Sequence, residues 1–340
     1  MSGSRRNILR PLGHVVAVLA AIFVLLVLLS LLFMPKDNTE EAGMIDPPAH
    51  GVLAEPANTI DVLFLGNSET YSSISPMEMW KREGITSYVC ATAAQKLTYT
   101  YSLLRQATKE QTPRVVVIEA DSIYDSVGAS DIAKRMVQDV LPVFEYHDRW
   151  KGLTLRDLDP HVEYTWIDDC KGYHIYTWST HADPETVAEH MAPADYAEEI
   201  GTLSKWCLGK IVEYCRSIGA EPVIVNVPNM NNWSMARHNA IAAWAAENDV
   251  DYIDFNVEPT KVDIDWTVET RDEGNHVNHF GAVKTSVALG TYLAETYDLP
   301  NHRGDADYAA WDDSLAIYDA KVDEALNGRW AQENPIWDWE

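Results

Sequence analysis

The stretch "DVLFLGNSETYSSISP" occupies residues 61–76. It is apolar up to Gly66, then turns polar at Asn67 and Ser68. A short apolar run that stops at a glycine is how a strand buried on both faces of an α/β sheet ends. Ligands in such sheets sit just beyond the carboxyl ends of the strands. Ser68 is therefore placed either as a nucleophile at a ligand edge or as a serine that merely serves the turn.

The same rhythm repeats along the chain. Strands are expected at 60–66, 86–91, 114–120, 221–228 and 250–255, and helices at 75–84, 97–111, 201–219, 235–249 and 281–297. Strands alternating with helices imply a three-layer α/β/α sandwich around a mostly parallel sheet. Residues 122–198 break the pattern and are rich in Trp, Tyr, His, Asp and Lys, which reads as an insertion covering or lining a site. The domain proper is expected over 59–300, followed by an acidic, Trp-rich tail over 301–340.

"HVVAVLAAIFVLLVLLSLLF" (14–33) carries no charge after His14. At about 1.5 Å per residue it spans roughly 30 Å, the thickness of a bilayer core. It reads as a transmembrane helix; a cleaved signal peptide is the rival, but no small-x-small site follows closely. Arg5, Arg6 and Arg10 precede it, which places residues 1–13 in the cytoplasm and 34–340 outside. Residues 34–58 read as a linker. The formal charge of −26 repels phosphate backbones and argues against nucleic-acid partners. No C-x-x-C pair occurs among Cys90, Cys170, Cys207 and Cys215, and free, buried thiols are expected. No exposed amphipathic helix for binding a membrane surface is evident from the pattern.

A serine hydroxyl attacks only when a base takes its proton, and the base works best when a third group orients it. "DEGNHVNHFGAVK" (272–284) supplies an acid and a histidine a few residues apart, running into the last expected helix. Together with G-N-S at 66–68, this arrangement resembles the SGNH/GDSL hydrolase superfamily, whose first block ends in a nucleophilic serine and whose last block is D-x-x-H. The likeness is nearest to membrane-anchored SGNH-like proteins of bacterial cell envelopes, on "GNSETYSSISP", "HVNHFGAVK", "YHDRWKGLT" (146–154) and "KGY" (171–173), and covers roughly residues 59–297.

The resemblance implies Ser68 as nucleophile and His276 as general base. Strict spacing from His276 lands on Glu273, but Asp272 is favoured as the acid because aspartate is the family's residue. His279 is not expected to be the base. The family's oxyanion glycine is replaced here by alanines in "CATAAQK" (90–96), and its asparagine is missing from "IEADSIYDS" (118–126). The Ser68 N–H, Ala94 and Gln95 are the remaining donor candidates. Asn67, Tyr146, Arg149, Trp150 and Lys171, with His147 and Tyr173, are candidates for substrate contact. Glu69 is an oddity: a carboxylate beside a developing oxyanion is unhelpful unless it points away or pairs with Arg149. Asn226, Asn229, Asn231 and Asn232 lie at the ligand edge, where asparagines commonly serve turns.

The resemblance implies no cofactor and no metal. It implies an extracytoplasmic serine esterase or O-acyltransferase acting on envelope glycans, possible partnership with a membrane-bound O-acyltransferase, and attachment to the membrane by the N-terminal helix. The missing asparagine supports the alternative of a catalytically inactive glycan-binding or acyltransferase-partner protein.

Overall fold

A computed structural model of the chain describes residues 3–328. In chain order the elements are α1 (Gly3–Phe33), α2 (Pro47–His50), β1 (Val62–Gly66), α3 (Ser68–Ser73), α4 (Pro76–Glu83), β2 (Ser87–Ala91), α5 (Leu97–Ala107) and β3 (Val115–Glu119). These are followed by α6 (Ala129–Val140), α7 (Val143–Tyr146), α8 (Pro184–Glu189), α9 (Thr202–Ser217) and β4 (Glu221–Asn226). The last are α10 (Met235–Asn248), β5 (Asp251–Asp254), α11 (His279–Tyr297) and α12 (Ala309–Leu326). The chain divides into two compact units, residues 1–45 with 130–166, and residues 46–129 with 167–340.

The larger unit holds the sheet. Its five strands are all parallel, in the order β2-β1-β3-β4-β5. This is a doubly wound order, with a switch point between β1 and β3, the place where such sheets bind their ligands. β1, β2 and β3 are buried at every residue, which is why they read as unbroken apolar runs. Val62, Phe64, Val117 and Val225 point to the face that packs Ile74, Met79, Leu289 and Leu293, which lie on or beside α3, α4 and α11. On the other side α5 packs on β1, β2 and α9, and α9 packs on β4. The sandwich and all five expected strands are present, with ends moved by one or two residues.

Three segments differ from expectation. Residues 47–54 of the expected linker are helical, and Ala49, His50 and Val52 are buried. The expected tail contains α12, which packs on α4 with Trp311 against Trp80 at 5.4 Å between ring centroids. Trp330, Trp337 and Trp339 lie outside the described residues. The 122–198 stretch holds no strand, and its residues 130–166 group with α1 rather than with the sheet.

In the smaller unit, Leu12–Phe33 is an uninterrupted apolar helix long enough to cross a membrane, with almost all of its side chains exposed. Its far end is tied down within the unit. Asn38 exchanges bonds with Trp166, Nδ2 to O at 2.8 Å and Oδ1 from N at 3.0 Å. Thr165 donates its hydroxyl to Asp37 at 2.6 Å. All four cysteines are free and buried.

Candidate active site

Gly66 ends β1, and Asn67 caps α3 by accepting the Glu69 N–H at 3.0 Å. A Cβ at Gly66 would run into the Thr70 hydroxyl and the Glu119 Cβ, so only glycine lets α3 start this close to β3. That tight exit sets Ser68 as the first residue of α3, at the carboxyl edge of the sheet.

The opposing loop runs from Thr270 to Val277, which bridge in antiparallel fashion. The Thr270 hydroxyl donates to His276 O at 2.8 Å and accepts the Gly274 N–H at 2.8 Å. Glu273 and Gly274 take φ of +60° and +94°, so the turn spends one residue more than D-x-x-H allows. The loop is also stitched to the segment after β4. Met230 N donates to Gly274 O at 3.0 Å, Asn231 Nδ2 to Glu273 O at 3.2 Å, and Asn232 Nδ2 to Asn275 Oδ1 at 2.8 Å. These asparagines serve the loop that carries the histidine.

The result is a relay. His276 Nε2 lies 2.9 Å from Ser68 Oγ, and His276 Nδ1 lies 2.6 Å from Asp272 Oδ2. Asp272 Oδ1 also accepts the His276 N–H at 2.7 Å. With Nδ1–H donating to the carboxylate, Nε2 is left as an acceptor for the serine hydroxyl. Glu273 is exposed, and its N–H is spent on Thr180 O at 3.0 Å, so the acid beside the base is Asp272. His279 instead bonds Tyr173 through Nδ1 at 3.1 Å. The rest of the 276–284 pattern serves the start of α11: Asn278 caps it, Gly281 leaves no room for a Cβ against Val277, and Lys284 pairs with Glu269 at 2.7 Å.

Burial pushes the His276 pKa down, the bond to Asp272 pulls it back, and Arg271 pushes it down further; the net shift is downward. The ring is therefore neutral at neutral pH, as a base must be. Burial alone would raise Asp272, but the His276 bonds and Arg271 outweigh it and hold it below the ordinary value. Any reaction in which His276 takes the Ser68 proton should accordingly be flat near pH 7–8. It should fall on the acid side, by about tenfold per pH unit, with a midpoint under the ordinary histidine value of 6.5. Arg271→Met should move that midpoint upward. A kcat/KM profile with its acid limb above 6.5 would contradict this assignment of the base.

Glu69 is the surprise of the site. It is fully buried, neither carboxyl oxygen has a hydrogen-bond partner, and Oε1 stands 3.6 Å from His276 Nε2. Burial raises its pKa well above the usual range, and nearby Asp121, Glu119 and Asp272 raise it further. Glu119 is raised for the same reasons, and Asp121 is pushed up to about 6. His276 is neutral at pH 7, so its approach to Glu69 is not an ion pair, and the raised pKa of Glu69 favours the uncharged carboxyl there. A carboxyl whose folded pKa lies above its unfolded one costs stability as pH rises from the unfolded value through the folded one. Glu69→Gln should thus raise the midpoint of thermal unfolding at pH 8 by about 2 °C or more, and flatten its dependence between pH 5 and 8. Calorimetry showing no gain at pH 8 would mean that Glu69 is ionised in the fold.

Of the oxyanion candidates, the Ser68 and Ala94 N–H groups have no acceptor among the described residues. Ala94 has φ +49°, a left-handed position that glycine would hold at lower cost. Gln95 is not available. It is buried, with Nε2 donating to Thr100 Oγ1 at 3.0 Å and to Cys90 O at 3.4 Å, and Oε1 accepting from Thr92 at 3.1 Å.

Several substrate-contact candidates have other duties. Asn67 Nδ2 reaches Asp121 at 3.1 Å and Asp125 at 3.3 Å. Lys171 is buried against Glu55 at 2.7 Å and lies 4.9 Å from the Trp311 ring, which makes it a core ion pair. Arg149, in the smaller unit, is held by Asp157 at 2.6 Å and by the Phe33 carbonyl, so it does not pair with Glu69. Tyr146 donates to Met44 Sδ at 3.6 Å, and Trp150 is exposed.

No family model matches the chain. No curated protein matches it either. Solved structures are similar at low identity. A proposed acylhydrolase from Bacteroides fragilis is 13% identical, with a TM-score of 0.38 over 73% of this chain and 95% of that one. A proposed lipolytic protein of the G-D-S-L family from Desulfitobacterium hafniense is 13% identical, with a TM-score of 0.37 over 69% and 99%. A GDSL-like lipase from Bacteroides thetaiotaomicron is 11% identical, with a TM-score of 0.34 over 76% and 94%. At these values the chemistry of the site rests on its own geometry.

Proposed function

We propose that this chain is a serine ester hydrolase of the SGNH type, working through an acyl-serine intermediate. The observation that carries the proposal is the relay of 2.9 and 2.6 Å joining Ser68, His276 and Asp272 at the sheet edge. Ser68 Oγ attacks the acyl carbon while its proton passes to His276 Nε2, and Asp272 holds the imidazolium. The tetrahedral oxyanion is received by the free N–H groups of Ser68 and Ala94. Collapse breaks the ester bond, and His276 hands the proton to the leaving alkoxide. Water or a hydroxyl-bearing acceptor then attacks the acyl-serine, giving its proton to His276, which restores Ser68.

The finer reading places this chemistry outside the cytoplasm, on acyl esters of envelope glycans, with transfer to a sugar hydroxyl as an alternative to hydrolysis. Three features support it: three arginines and no acid ahead of the apolar stretch 14–33, a strongly acidic remainder, and the sequence resemblance. Retention of α1 is favoured over cleavage because its last turns are bonded within the folded unit, Ser30 Oγ to Val143 N at 3.3 Å and the Phe33 carbonyl to Arg149. A non-catalytic glycan-binding reading draws on one observation: β3 runs into Glu119 and Asp121, with no amide side chain to serve as an oxyanion donor.

One experiment separates the two. The detergent-solubilised chain is treated with a fluorophosphonate, digested and mapped by mass spectrometry. Phosphonylation of Ser68 that is lost in His276→Ala is the expected result. An unlabelled, well-folded protein would end the hydrolase proposal.

A further inference from the structure

In the smaller unit, α6 is built inside out. Its one large buried side chain is charged: Arg135 bonds Asp139 at 2.8 Å and Glu145 through two bonds of 2.7 Å. Its apolar side chains face outward. Met136 and Val140 are 65% and 67% exposed, and Val137 is also exposed. Ala133, Met136, Val137 and Val140 follow the i, i+3, i+4, i+7 spacing of a single helical stripe. Ala133, Val137 and Phe144 from α7, with Lys134 and Gln138, line a shallow groove of about 400 Å³. The stripe escaped the sequence reading because it is only four residues wide and interrupted by Lys134 and Arg135.

The turns that follow repeat the pattern. Trp150 is 62% exposed, Leu155 86% and Leu158 70%. Single exposed apolar residues are ordinary, but this many within one short segment mark a contact surface. α7 and the turns His147–Lys151 and Leu155–Leu158 pack on α1. Ser30 and Phe33, in the last turn of α1, bond Val143 and Arg149. Phe144, Trp150, Leu155 and Leu158 therefore stand on elements that pack on a helix long enough to span a bilayer, and α6 is tied to α7 through Arg135 and Glu145.

We infer that residues 130–166 form a collar seated in the lipid leaflet where α1 leaves the bilayer, with the outer stripe of α6, Phe144, Trp150, Leu155 and Leu158 at the boundary of headgroups and acyl chains. The occupant is phospholipid. Lys134, Lys151 and Arg156 are interspersed with Asp139, Asp148 and Asp159 on the exposed surface, so contact rests on apolar burial and not on a charged headgroup. It should hold in zwitterionic vesicles and survive high salt. The inference takes α1 to lie in the bilayer and is independent of the chemistry at Ser68.

The test uses the full chain in phosphatidylcholine proteoliposomes. Met136→Cys, Val140→Cys and Leu158→Cys are each labelled with an environment-sensitive fluorophore, beside Lys205→Cys on α9. These are exposed positions, and the native thiols are buried, so folding and label site are controlled. Lipids spin-labelled near the carbonyl region should quench the three collar probes by about half and the control by under about a tenth, with no change in 1 M salt. Collar probes that behave like the control overturn the inference. So does a blue shift seen in native membranes but not in pure lipid, which would assign the surface to a protein partner. Extraction of the chain by carbonate overturns it as well, because the collar needs α1 in the bilayer.

Discussion

Ser68→Ala should lower kcat for p-nitrophenyl acetate hydrolysis by about three to six orders of magnitude, with the circular dichroism spectrum unchanged. The hydroxyl is half-buried at the sheet edge and bonds His276 and Tyr71 rather than the core, so its loss leaves the fold intact. His276→Ala should cost about as much, because a serine without its base is an ordinary alcohol. The decisive quantity is the double variant. Groups that act in one proton transfer do not contribute separately, so Ser68→Ala with His276→Ala should be no slower than either alone. Losses that multiply would mean that the 2.9 Å contact is structural and that the two residues act in different steps.

Asp272→Asn should cost about three to four orders of magnitude in kcat with little change in KM. The carboxylate accepts from both the ring Nδ1 and the backbone N–H of His276. An asparagine that turns its oxygen to the backbone N–H presents its NH₂ to Nδ1. That forces the tautomer with a proton on Nε2, which can no longer accept one from Ser68. Glu273→Gln, one residue away, should leave kcat within about twofold, as expected for an exposed residue. The reverse ranking would move the acid role to Glu273 and require the 272–276 turn to rearrange.

What was legible in the sequence follows from where the information lies. β1, β2 and β3 could be read because burial on both faces writes itself as a continuous apolar run. The helices α5, α9 and α10 could be read because each is long enough to show its period. α3 could not, since six residues beginning with a polar cap look like a turn. Lys171 looked like a ligand for a substrate because it is a base in an acidic chain. Its partner Glu55 lies 116 residues away, in a stretch that looked like a linker, and only the fold brings them together. Gln95 failed for the opposite reason: its amide is consumed locally, by Cys90, Thr92 and Thr100. The isolation of Glu69 depends on Glu119 and Asp121 at the end of β3 and Asp272 in the 270–277 loop arriving from two other segments, and nothing adjacent to it announces that.

The serine and its base stand 208 residues apart, and the histidine sits just before α11, which packs on α3 and α4. The ribosome therefore delivers the nucleophile early and its activator late. A nascent chain that already holds Ser68 is an inert alcohol until β4, β5 and the 270–277 turn have been made and α11 has docked. Under the proposed chemistry the order of translation itself guards half-made chains against premature acylation, and truncation between α3 and the 270–277 turn leaves the nucleophile present but without its base.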